Sequence, residues 1–257
     1  MIIPARYGST RLPGKPLRDL AGKPLVVRVL ENALTAGADF VWVATDDARI
    51  ARAVQAAGGT VVMTRADHVS GTDRLAEAAL ARALPDDTIV VNVQGDEPLL
   101  EPEHVQSVAA ALAAHPEAGI ATLATAVGGG AELFDPSAVK VVTDARGMAL
   151  YFSRAPLPWA RDHFEAGRIA TELPDASAYL RHVGLYAYTV GTLRRLADSP
   201  PAPMERLESL EQLRALWLGL GIHVTVTADP PLPGVDTEAD LERAAQVLRA
   251  RTAHEAP

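Results

Sequence analysis

The 257-residue sequence predicts an α/β fold, with a mostly parallel central sheet covered by helices and a smaller β-rich insertion. Three observations carry this. Short β-rich apolar runs alternate with Ala/Leu/Arg-rich stretches of helical period in the first half. Thr88–Val93 is the most continuously apolar run, as a strand buried on both faces requires. After residue 126 the alternation gives way to a hairpin signal and a proline-punctuated loop.

Met1–Ile3 starts a strand, and Val26, Val29, Leu30 and Ala33 then share one helical face. Phe40–Ala44 is the next strand. Ile50, Ala53, Val54 and Ala57 form a helical stripe that Gly58-Gly59 stops. Thr60–Met63 is a third strand, and Ser70-x-x-Asp73 has the form of a capping box opening a helix to about Leu84. Pro102–His115 is helical and Ile120–Ala126 extended. Val139–Thr143 and Met148–Phe152 flank Asp144-Ala145-Arg146-Gly147, a hairpin signal, and residues 156–181 read as loop. Val183–Thr189 is a strand, a helix runs from about Met204 to Leu218, and Ile222–Thr227 is the last strand. Leu241, Ala244, Ala245 and Leu248 mark a closing helix. The expectation is one domain over 1–257, with the insertion at about 127–200.

Composition removes several function classes. Twenty-four Lys/Arg against 32 Asp/Glu leave a charge of −8, which argues against recruitment of nucleic acid or anionic membrane by the overall field. The absence of cysteine excludes disulfides, thiolate metal sites and thiol nucleophiles. Pro4 and Arg6 interrupt the initial apolar stretch, so no leader is expected, and no run approaches the ~18 apolar residues of a spanning helix. A soluble, cytoplasmic protein with neither nucleic-acid nor membrane partner is expected.

The most informative segment is Pro4-Ala5-Arg6-Tyr7-Gly8-Ser9-Thr10-Arg11-Leu12-Pro13-Gly14-Lys15-Pro16, directly after the first strand. Open α/β sheets bind ligands at such carboxyl ends. Residues 6–23 hold Arg6, Arg11, Lys15, Arg18 and Lys23 against one acid, Asp19. Glycine lets backbone N–H groups approach oxygens, and proline stiffens the loop. Such a loop suits a polyphosphate; the alternative is a solvated basic turn. It is neither a Walker A loop nor a G-x-G-x-x-G turn.

Gln94-Gly95-Asp96-Glu97-Pro98 follows the buried strand, where a carboxylate can hold Mg²⁺ against phosphates or simply shape a turn. Thr237-x-x-Asp240 reads as a capping box that leaves Asp236 free to project, although Asp236 could itself be the cap. On the expected helix from Met204, Leu207, Leu210, Leu213 and Trp217 supply a buried stripe. Glu208, Glu211 and Gln212 share another face, read either as solvated or as part of a site. Arg154 precedes a proline loop, and His182 and Tyr186 flank Gly184 on a strand. No second ligand stands at metal spacing from His182, so a hydrogen-bonding or core role is expected there.

Seven segments taken together resemble the 3-deoxy-manno-octulosonate cytidylyltransferase family, in family order and over almost the whole chain. They are Ile2–Pro16 (IIPARYGSTRLPGKP), Met63–Ala76 (MTRADHVSGTDRLA), Val91–Pro98 (VNVQGDEP) and Ala149–Ala155 (ALYFSRA). Arg181–Tyr186 (RHVGLY), Leu210–Arg214 (LEQLR) and Gly234–Leu241 (GVDTEADL) complete the set. Only Met1 precedes Ile2-Ile3 where relatives carry a few more residues, which implies a short first strand or an upstream start.

The resemblance implies a Rossmann-like nucleotidyltransferase domain with helices on both sheet faces and an insertion that contributes to the sugar site and makes a homodimer. It implies that Pro4, Ala5, Arg6 and Lys15 hold the nucleotide and its phosphates, with Ser70, Gly71 and Arg74 near cytosine and ribose. Gln94 and Asp96 would lie between nucleotide and sugar, and Asp96 with Asp236 would ligate Mg²⁺. Arg154, His182, Tyr186, Glu211 and Gln212 would line the sugar-acid site. The implied reaction is CTP + Kdo → CMP-Kdo + pyrophosphate, Kdo being 3-deoxy-D-manno-octulosonate, for lipopolysaccharide core synthesis. Arg6, Lys15, Asp96 and Asp236 would carry the catalysis. The rival readings are cytidylyl transfer to an amino-modified Kdo or a sialic acid, and a non-catalytic nucleotide-binding protein.

Overall fold

The computed structural model describes residues 1–8, 12–68, 70–165, 168–170 and 172–255, with side chains to 251. Ser9, Thr10 and Arg11 of the basic loop, and Val69 of the second matching segment, lie outside the described residues. The chain forms two compact units, Met1–Ser107 with Pro231–Pro257, and Val108–Pro230.

The first unit begins with β1 (Ile2–Ala5), the short strands β2 (Asp19–Leu20) and β3 (Lys23–Pro24), and helix α1 (Leu25–Leu34). There follow β4 (Trp42–Thr45), α2 (Ala48–Ala56), β5 (Thr60–Met63), α3 (Gly71–Ala81), β6 (Ile89–Asn92) and α4 (Pro102–Ala114), whose residues after Ser107 fall in the second unit. Its sheet order is β6-β1-β4-β5, every pairing parallel, as the alternation of strands and helices predicts. The chain steps outward from β1 through β4 to β5, then returns to the other side of β1. That reversal makes a switch point, and the crevice beyond the carboxyl ends of β1 and β6 is where such sheets bind ligands.

Local chemistry sets the helices. Leu25, Val26, Val29, Leu30 and Ala33 of α1 are buried, each large aliphatic contributing about 1.5–3 kcal/mol. The Asp47 carboxylate caps α2 by accepting the Arg49 N–H (2.8 Å) and Ile50 N–H (3.3 Å). Gly58, at φ 79°, follows its end. Ser70 Oγ accepts the Asp73 N–H at 3.1 Å and opens α3 where expected. The helix ends at Ala81, before the expected Leu84, and Ala83 turns the chain at φ 51°.

The second unit contains β7 (Ala118–Ala126), α5 (Gly130–Phe134), the hairpin β8 (Lys140–Thr143) and β9 (Ala149–Ser153), and β10 (Leu180–Thr189). Then come α6 (Val190–Ala197), α7 (Pro203–Glu208), α8 (Gln212–Trp217) and β11 (Gly221–Val226). β10 runs antiparallel to β7 and β8, while β11 runs parallel to β7.

One expectation fails here. The helix from Met204 to Leu218 is broken into α7 and α8, because Ser209 sits in the left-handed region at φ 52°, ψ 49°. Leu207 and Trp217, expected in a buried stripe, are 88% and 59% exposed, whereas Leu210 and Leu213 are buried. Glu208, Glu211 and Gln212 therefore do not share one helical face. The physical reason lies at Glu208, whose carboxylate and backbone carbonyl are both drawn to the end of β9. Helix α6 lies where the sequence pattern sets no expectation; Thr189 Oγ1 caps it by accepting the Thr192 N–H.

Helix α9 (Glu238–Glu255) belongs to the first unit. Its capping box is reciprocal: Thr237 Oγ1 accepts the Asp240 N–H (3.2 Å), and Asp240 Oδ2 accepts the Thr237 N–H (2.8 Å).

Candidate active site

In the first unit three of the expected residues meet. The Lys15 ammonium donates to Asp96 Oδ2 at 2.6 Å and to Asp236 Oδ1 at 3.0 Å. Lys15 rides on a short 3-10 turn, Lys15–Leu17, entered through Gly14 at φ 67°. Asp96 lies in the loop after β6, and Asp236 stands immediately before the capping box of α9. The two aspartate loops are themselves joined, since the Val235 N–H donates to Asp96 O at 2.7 Å. Burial pulls the Lys15 pKa down, but the two carboxylates outweigh it and hold the value above that of an ordinary lysine.

Glycine makes this convergence possible. A Cβ on Gly95 would lie 2.7 Å from Pro4 O, so the strand β6 loop passes β1 at a distance that only glycine tolerates. Pro4 and Ala5 end β1, and Arg6 is exposed just beyond them. Gln94, Ser70 and Gly71 are half-buried, Gly71 packing within ordinary contact of Pro4. Arg74 differs. Its guanidinium is buried, bonded to Thr64 Oγ1 and 3.2 Å from Asp46, so it braces α3 against neighbouring loops.

In the second unit His182, Tyr186 and Glu211 come together. The His182 and Tyr186 rings lie 5.3 Å apart, and the Glu211 charge contributes, after burial and Tyr188, to raising the Tyr186 pKa well above its usual value. β10 bulges between Val183 and Tyr186, and Thr122 serves that bulge. Its hydroxyl lies 2.8 Å from Leu185 O, 3.1 Å from Val183 O and 3.0 Å from His182 Nε2. A hydroxyl has one hydrogen. With that hydrogen on Leu185 O, Oγ1 accepts from His182 Nε2–H, and the unprotonated nitrogen is Nδ1. Burial, helped by Arg181, lowers the His182 pKa to about 3, so the ring is neutral at pH 7.

Arg154 is held by its own backbone and side chain. Its Nε donates to Glu208 O at 2.7 Å and its Nη1 to Pro136 O at 2.9 Å. Gln212 is buried at the first position of α8, and Glu211 is exposed beside it.

Three residues near these groups were not singled out from sequence. Glu97 is pushed up to about 8 by burial and by Asp96, and its Oε2 is buried with no hydrogen-bond partner among the described residues. Its place inside the Gln94–Pro98 motif was the available signal. Glu208 was read only as part of a polar face, yet it takes the Ser153 hydroxyl and the Arg154 N–H. Lys140 lies within the expected strand Val139–Thr143, where a lone cation among valines is unusual in a buried strand.

A family model described as cytidylyltransferase matches residues 1–222. The chain is 58% identical over 251 residues to a Hahella chejuensis protein named 3-deoxy-manno-octulosonate cytidylyltransferase, covering 96% of each. It is 55% identical over 248 residues to a protein of the same name from Nitrosococcus oceani, covering 96% of this chain and 95% of that one. A solved structure described as CMP:2-keto-3-deoxy-manno-octonic acid synthetase complexed with CTP superposes with a TM-score of 0.85. Its sequence is 45% identical, and the match covers 97% of this chain and 98% of that one.

Proposed function

The chain belongs to the 3-deoxy-manno-octulosonate cytidylyltransferase family, and we propose from that premise that it transfers CMP from CTP to the anomeric hydroxyl of Kdo. The products are CMP-Kdo and pyrophosphate, and the activated sugar serves lipopolysaccharide core synthesis. One observation carries the reading: a protonated Lys15 shared by Asp96 and Asp236, beyond the carboxyl ends of β1 and β6.

Phosphoryl-type transfer depends mainly on positioning and charge neutralisation. Lys15 and the exposed Arg6 supply positive charge for the triphosphate and for the pyrophosphate that leaves. Pro4, Ala5, Ser70, Gly71 and Gln94 border the same crevice and suit the nucleoside; Arg74, being buried, supports them from behind. The carboxylates of Asp96 and Asp236 fit Mg²⁺, because two hard oxygen donors reach one cationic atom. Magnesium typically takes one or two carboxylates and completes its shell with water and substrate phosphate. Asp96 and Asp236 would hold the ion, which would supply charge neutralisation for phosphate. Asp96 or water takes the proton of the attacking hydroxyl. On the sugar side, Arg154 offers hydrogens to the Kdo carboxylate, and the neutral His182 offers Nδ1 as an acceptor. Tyr186, Glu211 and Gln212 suit the sugar hydroxyls. The family resemblance also supports a homodimer and a cytoplasmic location.

The test is pyrophosphate release with each nucleoside triphosphate crossed against Kdo, amino-modified Kdo and a sialic acid, with and without Mg²⁺. Fast, Mg²⁺-dependent release is expected only for CTP with Kdo. Equal rates with sialic acid, or binding of CTP without turnover for any sugar, would overturn the assignment. Sedimentation of the same preparation tests the dimer.

A further inference from the structure

Lys140 opens β8 with no exposed surface at all. Its three ammonium hydrogens match three carbonyls: Asp135 O at 2.8 Å, Ala138 O at 2.5 Å and Arg154 O at 2.7 Å. Among the described residues no carboxylate pairs with it directly. A buried cation held only by carbonyls is a costly way to fill a core, so its use needs a reason.

The reason lies in what those carbonyls belong to. Asp135 and Ala138 flank Pro136, and Pro136 O accepts Arg154 Nη1. The third carbonyl is that of Arg154 itself. Lys140 thus fixes the Arg154 backbone and also the loop against which the Arg154 guanidinium rests. Glu208 works from the opposite side. Its Oε2 accepts the Arg154 N–H at 3.0 Å, its Oε1 accepts the Ser153 hydroxyl at 2.6 Å, and its carbonyl accepts Arg154 Nε. The peptide groups on either side of the Arg154 Cα are therefore held by opposite charges.

We propose that Lys140 and Glu208 are positioning residues for sugar-acid recognition, acting through Arg154 to aim its guanidinium at the substrate carboxylate. This rests on the reading that Arg154 receives the Kdo carboxylate. The remaining guanidinium hydrogens point in a direction set by Nε and Nη1, because the group is planar and rigid. A chain with Lys140 or Glu208 altered keeps every atom of the Arg154 side chain but loses its aim.

The experiment measures KM for Kdo, KM for CTP, kcat and thermal midpoint in Lys140→Met, Glu208→Gln, Arg154→Ala and the two doubles with Arg154→Ala. Lys140→Met and Glu208→Gln should each raise KM for Kdo roughly tenfold, the loss of one charge-assisted contact, with KM for CTP within twofold of wild type. Each double should be no worse than Arg154→Ala alone. Additive losses in the doubles, or equal rises in both KM values, would overturn the positioning role while leaving the carboxylate reading intact. An unchanged KM for Kdo in Arg154→Ala would instead remove the reading on which the proposal stands. If Lys140→Met does not fold, the Glu208→Gln cycle decides the question by the same comparison.

Discussion

Lys15 in the first unit and Lys140 in the second both give their ammonium protons to oxygen, but the oxygens differ in kind. Lys15 is 14% exposed and faces two carboxylates, themselves 31% and 44% exposed. Lys140 is wholly buried and faces three backbone carbonyls. The carboxylates outweigh burial and raise the Lys15 pKa; burial, followed by lesser influences of mixed sign, lowers that of Lys140. A lysine whose carboxylate partners are partly in water can trade them for an arriving phosphate at modest cost. Carbonyls fixed in the backbone cannot trade. On the proposed reading, the first unit redistributes charge when a nucleotide arrives, and the second holds a recognition geometry already formed.

The largest effect should come from breaking the exchangeable cluster. Asp96→Asn or Asp236→Asn is expected to lower turnover by about two orders of magnitude, as for loss of a main electrostatic contributor. Steady-state rates at limiting Mg²⁺ check this, and near-wild-type turnover in either variant would refute the role. Next, Lys15→Ala should lower turnover roughly ten- to a hundredfold while shifting the thermal midpoint little. A large drop in midpoint with normal turnover of the folded fraction would make Lys15 a structural cation.

His182 sharpens the comparison through pH. The folded protein keeps this ring neutral down to about 3, whereas the unfolded chain binds a proton near 6.5. Between those values the unfolded state holds more protons, so the residue costs stability as pH falls, by about 1.4 kcal/mol per pH unit. Urea unfolding at pH 7 and pH 5 should show a smaller acid loss for His182→Gln than for wild type. Equal losses would mean that the ring titrates normally.

The smallest effects test the break between α7 and α8. Leu207→Ala should change stability by less than about 0.5 kcal/mol, as an exposed substitution does, and Leu210→Ala by about 2–5 kcal/mol. Similar losses at both positions would restore the continuous helix.

The parallel part of the fold was legible because its rules are local. A strand followed by a basic, glycine-bearing loop places Lys15, and a capping box at Thr237 and Asp240 releases Asp236. Each inference needed only a short stretch of neighbouring sequence. The second unit depends on partners distant in sequence. Ser209 departs from helical backbone while Glu208 engages residues more than fifty positions earlier, and no periodicity within 204–218 records that. The bulge at Val183–Tyr186 is served by a threonine on another strand. Lys140 was hidden for the same reason: its valine neighbours are visible in sequence, but the carbonyl of Arg154 is not.

The first unit is discontinuous in the chain, opening with residues 1–107 and closing with 231–257. A ribosome delivers these pieces far apart in time, at roughly 5–20 residues per second. Lys15 and Asp96 are available early, and Asp236 emerges only after the whole second unit has been made. A nascent or prematurely terminated chain therefore carries the basic loop with one of its two carboxylates. On the proposed reading, the paired carboxylates are complete only once the segment that returns to the first unit has been made.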